Sequence, residues 1–265
     1  MAHTLFENKV LENKVKNQLD TKLDAQQFFT VDRSLTEAAG RKKVINTYSF
    51  TKGAVRDVAQ GEGNQTADDI EVGFTPKEYT VKYTQGHMTW FDEQAETDPM
   101  LLDVGVSAQA TLMYNDTIKK FYTTLGTTEL TLEYPKTGIT KDVVIDALAK
   151  FPEQEEGLNM FIHPNQKAKL RKSLGEELKY VEDFARTGYI GHIMGVPVHE
   201  SKAVPDKTAF IAGKDAVTLF VKKDVSSETS RDANLRKNDL YFRRENVFAL
   251  TDSTRALKLT EQQEA

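Results

Sequence analysis

The chain contains no cysteine. Disulfides, thiolate nucleophiles and cysteine-ligated metals are therefore excluded. It also lacks a basic excess: 35 Lys and Arg stand against 40 Asp and Glu, a net charge of −5. That balance does not support tight nucleic-acid binding through phosphate neutralisation. No apolar run approaches the roughly 18 residues of a membrane-spanning helix. The opening MAHTLFENKVLENK is polar and has no apolar signal core. The expectation is a protein with no membrane contact, made and kept in a cytoplasm. With 265 residues, 39% of them hydrophobic and 28% charged, the chain suffices for one large domain or two small ones of ordinary composition.

The most informative stretch is DPMLLDVGVSAQATLMYNDTIKKFYTTLG, Asp98 to Gly126. It reads as one long helix. Asp98 suits the cap and Pro99 the first helical position, while Gly126 suits a left-handed C-terminal stop. Leu101, Val104, Ala108, Leu112, Ile118, Tyr122 and Leu125 recur at three- and four-residue steps and are expected to form the buried stripe. About 27 residues at about 1.5 Å each give roughly 40 Å, long for a domain of this size. Gly105 is a candidate bend.

Residues 1 to 25 read as an amphipathic helix with Leu11, Val15, Leu19 and Leu23 at four-residue steps. A stripe this narrow makes no core alone, so it docks on its own domain or on a neighbouring subunit. Phe28 and Phe29 follow as an anchor. Residues 41–90 change character. Val44, Tyr48 and Phe50, then Val72, Phe74, Tyr79, Val81 and Tyr83, sit in runs of period two. Between them AVRDVAQGEGNQTADDI is rich in Gly, Asp, Asn and Gln. This is a long two-stranded ribbon with a polar tip, and Pro76 belongs at an edge or bulge of it. The Gly-Glu-Gly at 61–63 lacks what a phosphate-binding loop needs. Beyond Gly126, strands at 129–134, 158–163, 196–200, 209–212 and 217–221 alternate with helices capped by Thr140 and begun by Pro164, an α/β layer. Leu240, Phe242, Val247, Phe248 and Leu250 read as a long strand, with Leu257 and Leu259 in a last short one.

No catalytic set emerges, and no cofactor is expected. His192 and His199 flank IMGVPV seven residues apart, which on one strand puts them on opposite faces and argues against a shared metal. His163 reads as a corner or capping residue and His87 as packing beside Trp90. Glu153, Glu155 and Glu156 read as a solvated loop. Arg243-Arg244 with Glu245 reads as a charged solvent face or interface. No serine lies in a nucleophile-elbow pattern.

Taken in order, these pieces resemble the major capsid proteins of tailed bacteriophages with the Hong Kong 97-type fold. TGYIGHIMGVPVHESKAVPDKTAFIAGKDAV at 187–217 is similar to that family's Gly-x-Pro-Val strand, loop and second strand. ETSRDANLRKNDLYFRRENVFALTDSTRALKL at 228–259 is similar to its closing strands. The resemblance implies an α+β fold with an N-terminal arm at 1–40 and an extended E-loop at 41–90. It implies a peripheral domain with the long spine helix at 91–136 and 232–265, and an axial α/β domain at 137–231. Tyr48, Phe50, Arg56, Asp57, Glu62, Asp68, Asp69 and Phe74 of the E-loop would form an assembly interface. Leu101, Val104, Leu112, Ile118 and Tyr122 would form the spine-helix core.

By the same resemblance the chain assembles with itself as hexamers and pentamers into an icosahedral virion shell. That shell encloses double-stranded DNA without sequence-specific binding and forms in the host cytoplasm. A portal and decoration proteins are implied partners. Because only about 40 residues precede the E-loop, the expectation is a separate scaffolding protein, or none, or a precursor already trimmed. Some members cross-link an E-loop lysine to a neighbour's asparagine. Lys52 and Asn234, Asn238 or Asn246, beside Glu245, do not align clearly to such a pair, and no cross-link is expected. The alternatives are an encapsulin-like nanocompartment of the same fold and an α/β enzyme or small-molecule binder.

Overall fold

The computed structural model describes residues 28–36, 40–52, 57, 60, 63, 71–98, 100–151, 157–178 and 191–262. Two principal sheets organise them. The first is four-stranded. Its strands are β1 (Thr30–Asp32), β4 (Lys82–Phe91), β10 (Val217–Asp232) and β11 (Lys237–Leu250), in the order β1-β10-β11-β4. The β10–β11 hairpin is antiparallel along its full length, with β4 antiparallel on its free side. The second is six-stranded. It contains β5 (Thr131–Tyr134), β6 (Leu158–Ile162), β7 (His192–Ile193), β8 (Val196–Glu200), β9 (Thr208–Gly213) and β12 (Ala256–Glu261), in the order β5-β12-β9-β6-β8-β7. A separate two-stranded ribbon joins β2 (Lys42–Lys52) to β3 (Glu71–Thr80).

The long helix is real, but it starts later than its sequence suggests. A short helix α1 (Asp92–Thr97) comes first, and α2 runs Leu101–Leu125. Asp98 ends α1, and its carboxylate accepts from the Met100 N–H at 3.0 Å. Pro99 lies outside the described residues. Gly126 does not adopt a left-handed stop: its φ is −62°. Its N–H keeps the regular bond to the Tyr122 carbonyl at 2.9 Å, and the Thr127 and Thr128 N–H groups bond three residues back, to Thr124 and Leu125 at 3.0 and 3.2 Å, so the helix tightens into a turn instead.

The buried face of α2 corrects the expected stripe. Val104 and Leu112 are each 62% exposed, and Leu101 is half-buried, whereas Ile118 and Tyr122 are buried as expected. The sheet-facing row is Val106, Ala110, Met113, Thr117 and Phe121, with Gln109 beside it. Polar residues occupy two of those positions, which hid the true stripe. Thr117 is tolerated there because its hydroxyl donates to the Met113 carbonyl at 2.7 Å. Gly105 is not a bend either. A Cβ there would collide with the Met88 thioether, and one on Gly86 would collide with the Gln109 amide. The two glycines let helix and strand β4 approach where any side chain would hold them apart.

On β11 the side chains alternate. Leu240, Phe242, Arg244, Asn246 and Phe248 are buried under α2, while Tyr241, Arg243, Glu245 and Val247 face the other way and are half-buried. Phe242 and Leu240 close a cluster with Val106, Ala110, Met113 and Val225. Phe29 enters a second cluster beside Phe121 and Phe248 at centroid separations of 5.4 and 5.1 Å. In the six-stranded sheet, helices α3 (Lys141–Leu148) and α4 (Pro164–Leu178) supply Val144, Ala147, Leu148 and Leu170 to a third cluster. Thr140 caps α3 by accepting from the Val143 N–H, as its position suggests.

The strands at the C-terminal end exchange layers relative to the expected division. Segment 217–231, assigned to the axial layer, lies in β10 and pairs with β11 under the long helix. The last strand, assigned to the peripheral part, lies in β12 between β5 and β9 of the six-stranded sheet. Short apolar runs carry no signal of which sheet will receive them, since both faces of both sheets accept Val, Leu and Phe.

The corrected stripe gives a direct contrast. Met113→Ala should cost about 2–5 kcal/mol in urea unfolding of the soluble protein. Leu112→Ala, one residue earlier, should change stability by no more than about 0.5 kcal/mol. Equal losses for the two would show that the helix is rotated from this arrangement.

Candidate assembly surfaces

The ribbon is narrower in sequence than the 41–90 run. Antiparallel pairing runs from Lys42 opposite Thr80 to Lys52 opposite Glu71, with Tyr48 opposite Phe74 and Pro76 opposite Asn46. It ends at Val81, and residues 82–91 turn into the four-stranded sheet. Val81 is buried with Leu35, Phe220 and Ala249, and its N–H donates to the Arg41 carbonyl at 2.8 Å. Tyr83, read as part of the ribbon, belongs to β4.

Arg41 fixes the root of the ribbon to the sheet, alongside Lys43 over the Phe220 ring and the Leu250 N–H donating to the Tyr79 hydroxyl. The Arg41 guanidinium lies 3.8 Å over the Tyr83 ring and pairs with Glu245 at 2.9 Å. Beyond the root the ribbon stands free: Phe74 is 63% exposed and Val44 is 50% exposed. Asp57 is exposed at the tip. Arg56, Glu62, Asp68 and Asp69 lie outside the described residues, as do the side chains of Tyr48 and Phe50. The structure thus leaves Phe74 and Val44 exposed on the ribbon, and of the charged tip residues it describes Asp57 alone.

The sheet face opposite α2 carries a ladder of cross-strand pairs. Arg243 donates to Gln85 at 2.9 Å and pairs with Glu228 at 2.7 Å. His87 meets Asp239 at 2.8 Å and stacks on Tyr241 at 4.6 Å. Hydrogen bonds from His87 and then Lys237 hold the Asp239 carboxyl below its ordinary range. His87 thus belongs to this hydrogen-bonded and stacked ladder rather than packing beside Trp90. Arg244 departs from the charged face read for it. The strand alternation turns it inward, where it donates to the Thr117 hydroxyl at 3.4 Å.

At the far end the β10–β11 hairpin is clasped to α1. Arg231 pairs with Asp92 at 2.7 Å, Asn238 donates to Asp92 at 2.6 Å, and Arg236 pairs with Glu93 at 2.7 Å. The hydrogen bonds from Arg231 and then Asn238 lower the Asp92 pKa. These contacts also bear on cross-linking. Asn238 is held by Asp92, and Asn246 is 3% exposed on the face opposite Glu245, which Arg41 engages. Asn246 instead borders a cleft of about 440 Å³ lined by Lys77, Tyr79, Lys120, Thr124 and Phe248.

His163 serves as a cap and His199 as a packing residue. His163 Nδ1 accepts from the Asn165 N–H at 3.2 Å, at the first turn of α4, and lies 3.0 Å from Asp206. His192 and His199 sit on the paired strands β7 and β8, which a turn at Met194 and Gly195 joins, so IMGVPV is a hairpin rather than one strand. His199 packs on Phe28 and Phe161, and burial lowers its pKa. Burial likewise pushes Tyr122 up to about 12. Among the described residues no group of three or more His, Asp or Glu could hold a metal ion.

A free two-stranded ribbon, a long helix on a β-hairpin sheet and a separate α/β layer also occur together in known proteins. No protein-family model matches the chain. The major capsid protein of Staphylococcus phage phiMR11 is 27% identical over 263 residues, which cover 95% of this chain and 92% of that protein. A chain of Mycobacterium phage Che8 superposes with a TM-score of 0.65 at 16% identity, over 86% of this chain and 88% of its own. The SrpI encapsulin of Synechococcus elongatus does so with a TM-score of 0.65 at 10% identity, over 90% and 89%. The architecture is the α+β Hong Kong 97-type capsid fold. Within that fold the chain is similar to a phage major capsid protein.

The root contacts are testable without disturbing the core. Arg41→Ala removes one cation–π contact and one partly exposed ion pair, together about 1–2 kcal/mol. Global unfolding should shift little, while amide exchange at Val81 should speed up about tenfold. Unchanged exchange at Val81 would show that the ribbon root is held by something else.

Proposed function

We propose that copies of this chain assemble as hexamers and pentamers into the icosahedral head shell of a tailed phage, around packaged double-stranded DNA. The observation that carries the reading is the uncovered ribbon. An isolated two-stranded ribbon is marginal in water, yet this one pairs with neither larger sheet, and Val44 and Phe74 are exposed. A neighbouring copy that buried those side chains would supply the missing stability. The charged tip, with Arg56, Asp57, Glu62, Asp68 and Asp69, would set register with that neighbour more than affinity.

The chain acts as a structural protein, and its location is the virion capsid. The mild net acidity suits a wall that must not grip the packaged genome. A scaffolding protein, a portal and decoration proteins are the partners such a shell would meet, and host cytoplasm is where it would form. The encapsulin relationship favours a second reading, a compartment holding protein cargo. Electron micrographs of particles from the native host separate the two by the presence of DNA inside.

Replacing residues 55–70 by a short Gly-Ser turn tests the ribbon. The shortened protein should keep its unfolding transition, because its described core lies elsewhere, and should fail to close shells. Normal shells from it would overturn the assembly role of the ribbon.

A further inference from the structure

The cleft that Asn246 borders lies where the ribbon root meets the C-terminal end of α2. Lys77 and Tyr79 come from β3, Lys120 and Thr124 from α2, and the buried Asn246 and Phe248 from β11. Its volume of about 440 Å³ falls within the roughly 300–1,000 Å³ of ligand pockets. Asn246 is 3% exposed, and its Oδ1 has no hydrogen-bond partner among the described residues. A buried acceptor without a donor is costly, so an occupant with an N–H group would be favoured there.

The α2 side of the cleft adds further acceptors. Thr123, Thr124 and Thr127 donate their hydroxyl protons to the carbonyls of Lys119, Lys120 and Thr124, at 2.8, 3.0 and 2.7 Å. Their lone pairs are what remains for an occupant. The helix also ends there at its negative pole. A phosphate group, which brings mainly acceptors, suits that lining poorly. The rim has the opposite character. Lys120 pairs with Asp116 at 2.6 Å and Lys42 with Glu78 at 2.7 Å. Lys77 and Lys82 are exposed and carry no ion pair among the described residues. Two uncompensated cations thus flank one cleft in a chain of net charge −5.

We propose that this cleft binds a short, extended, acidic segment of a partner protein. Each residue of such a segment brings a backbone N–H for the Asn246 amide oxygen, and alternate side chains bring carboxylates to Lys77 and Lys82. Its apolar side chains would lie on Tyr79 and Phe248. Ribbon and helix both line the cleft, so the bound segment ties one to the other. Binding requires one folded chain only, whether or not the protein builds a shell.

Fluorescence anisotropy of a labelled peptide alternating Glu and Val, titrated with full-length protein, is the test. Lys77→Ala with Lys82→Ala should weaken binding about tenfold, the loss of two partly exposed ion pairs. Lys207→Ala with Lys214→Ala removes the same charge from exposed sites outside the cleft lining. That pair should change the affinity by no more than about twofold, because distant surface charges are screened. A peptide alternating Lys and Val should not bind. Backbone N-methylation of the acidic peptide should weaken it about fivefold, the loss of one hydrogen bond. Equal weakening by the two lysine pairs, binding of the basic peptide, undiminished binding of the methylated one, or no binding at all would overturn the proposal. So would displacement of the peptide by an equal concentration of inorganic phosphate or of a short DNA duplex, which would assign the lysines to phosphate. A second measurement leaves the protein unmutated. Saturating acidic peptide should slow chemical acetylation of Lys77 and Lys82 several-fold and leave Lys207 unchanged. Equal slowing at all three would also overturn it.

Discussion

Close approach of the long helix to strand β4 is the constraint on which the rest of the structure depends. Gly86 leaves room for the Gln109 amide, and Gly105 leaves room for the Met88 thioether. Without those gaps the helix could not sink far enough for Val106, Ala110 and Met113 to reach Leu240 and Phe242. That contact holds the β10–β11 hairpin against the helix. The hairpin in turn presents the Asp92 clasp at one end and Glu245, partner of Arg41, toward the other.

The same hairpin separates what is rigid from what projects. Val81, buried between the ribbon and β4, marks the boundary. On one side of it the backbone is paired within a sheet that a helix covers. On the other, among the described residues, the two ribbon strands pair only with each other, and Ile45 and Tyr79 near the root pack on the Phe220 cluster. On the proposed reading, such an arm would complete its burial on a neighbouring copy. The hairpin carries chain from the six-stranded sheet to the four-stranded one and back, so β9 and β12 pair although 217–250 lies elsewhere. The two layers are therefore tied by chain continuity as well as by the shared cluster of Phe161, Phe210, Phe121 and Phe248.

Much of this was legible in the residues. The long helix, the ribbon, the Thr140 cap, the Pro164 helix start and the closing strands all follow from periodicity and turn chemistry, which are local. The face of the helix was not legible. Val104, Ala108 and Leu112 form as good a stripe as Val106, Ala110 and Met113, and Gln109 and Thr117 make the true core face look polar. Arg244 misled for the same reason, since a run of charges reads as solvent-facing until the strand alternation turns one inward.

What the sequence determined by itself was the order and type of elements, together with the exclusions drawn from its lack of cysteine and of basic excess. These depend on propensities and spacings within a few residues. Only the tertiary structure decided which helix face is buried, where the ribbon ends, and which sheet receives β10 and β12. Each of those is settled by competition between segments far apart in the chain. Val81 ends the ribbon because Leu35, Phe220 and Ala249 bury it. Met113 rather than Leu112 faces inward because Gly86 and Gly105 fix where the helix can come close.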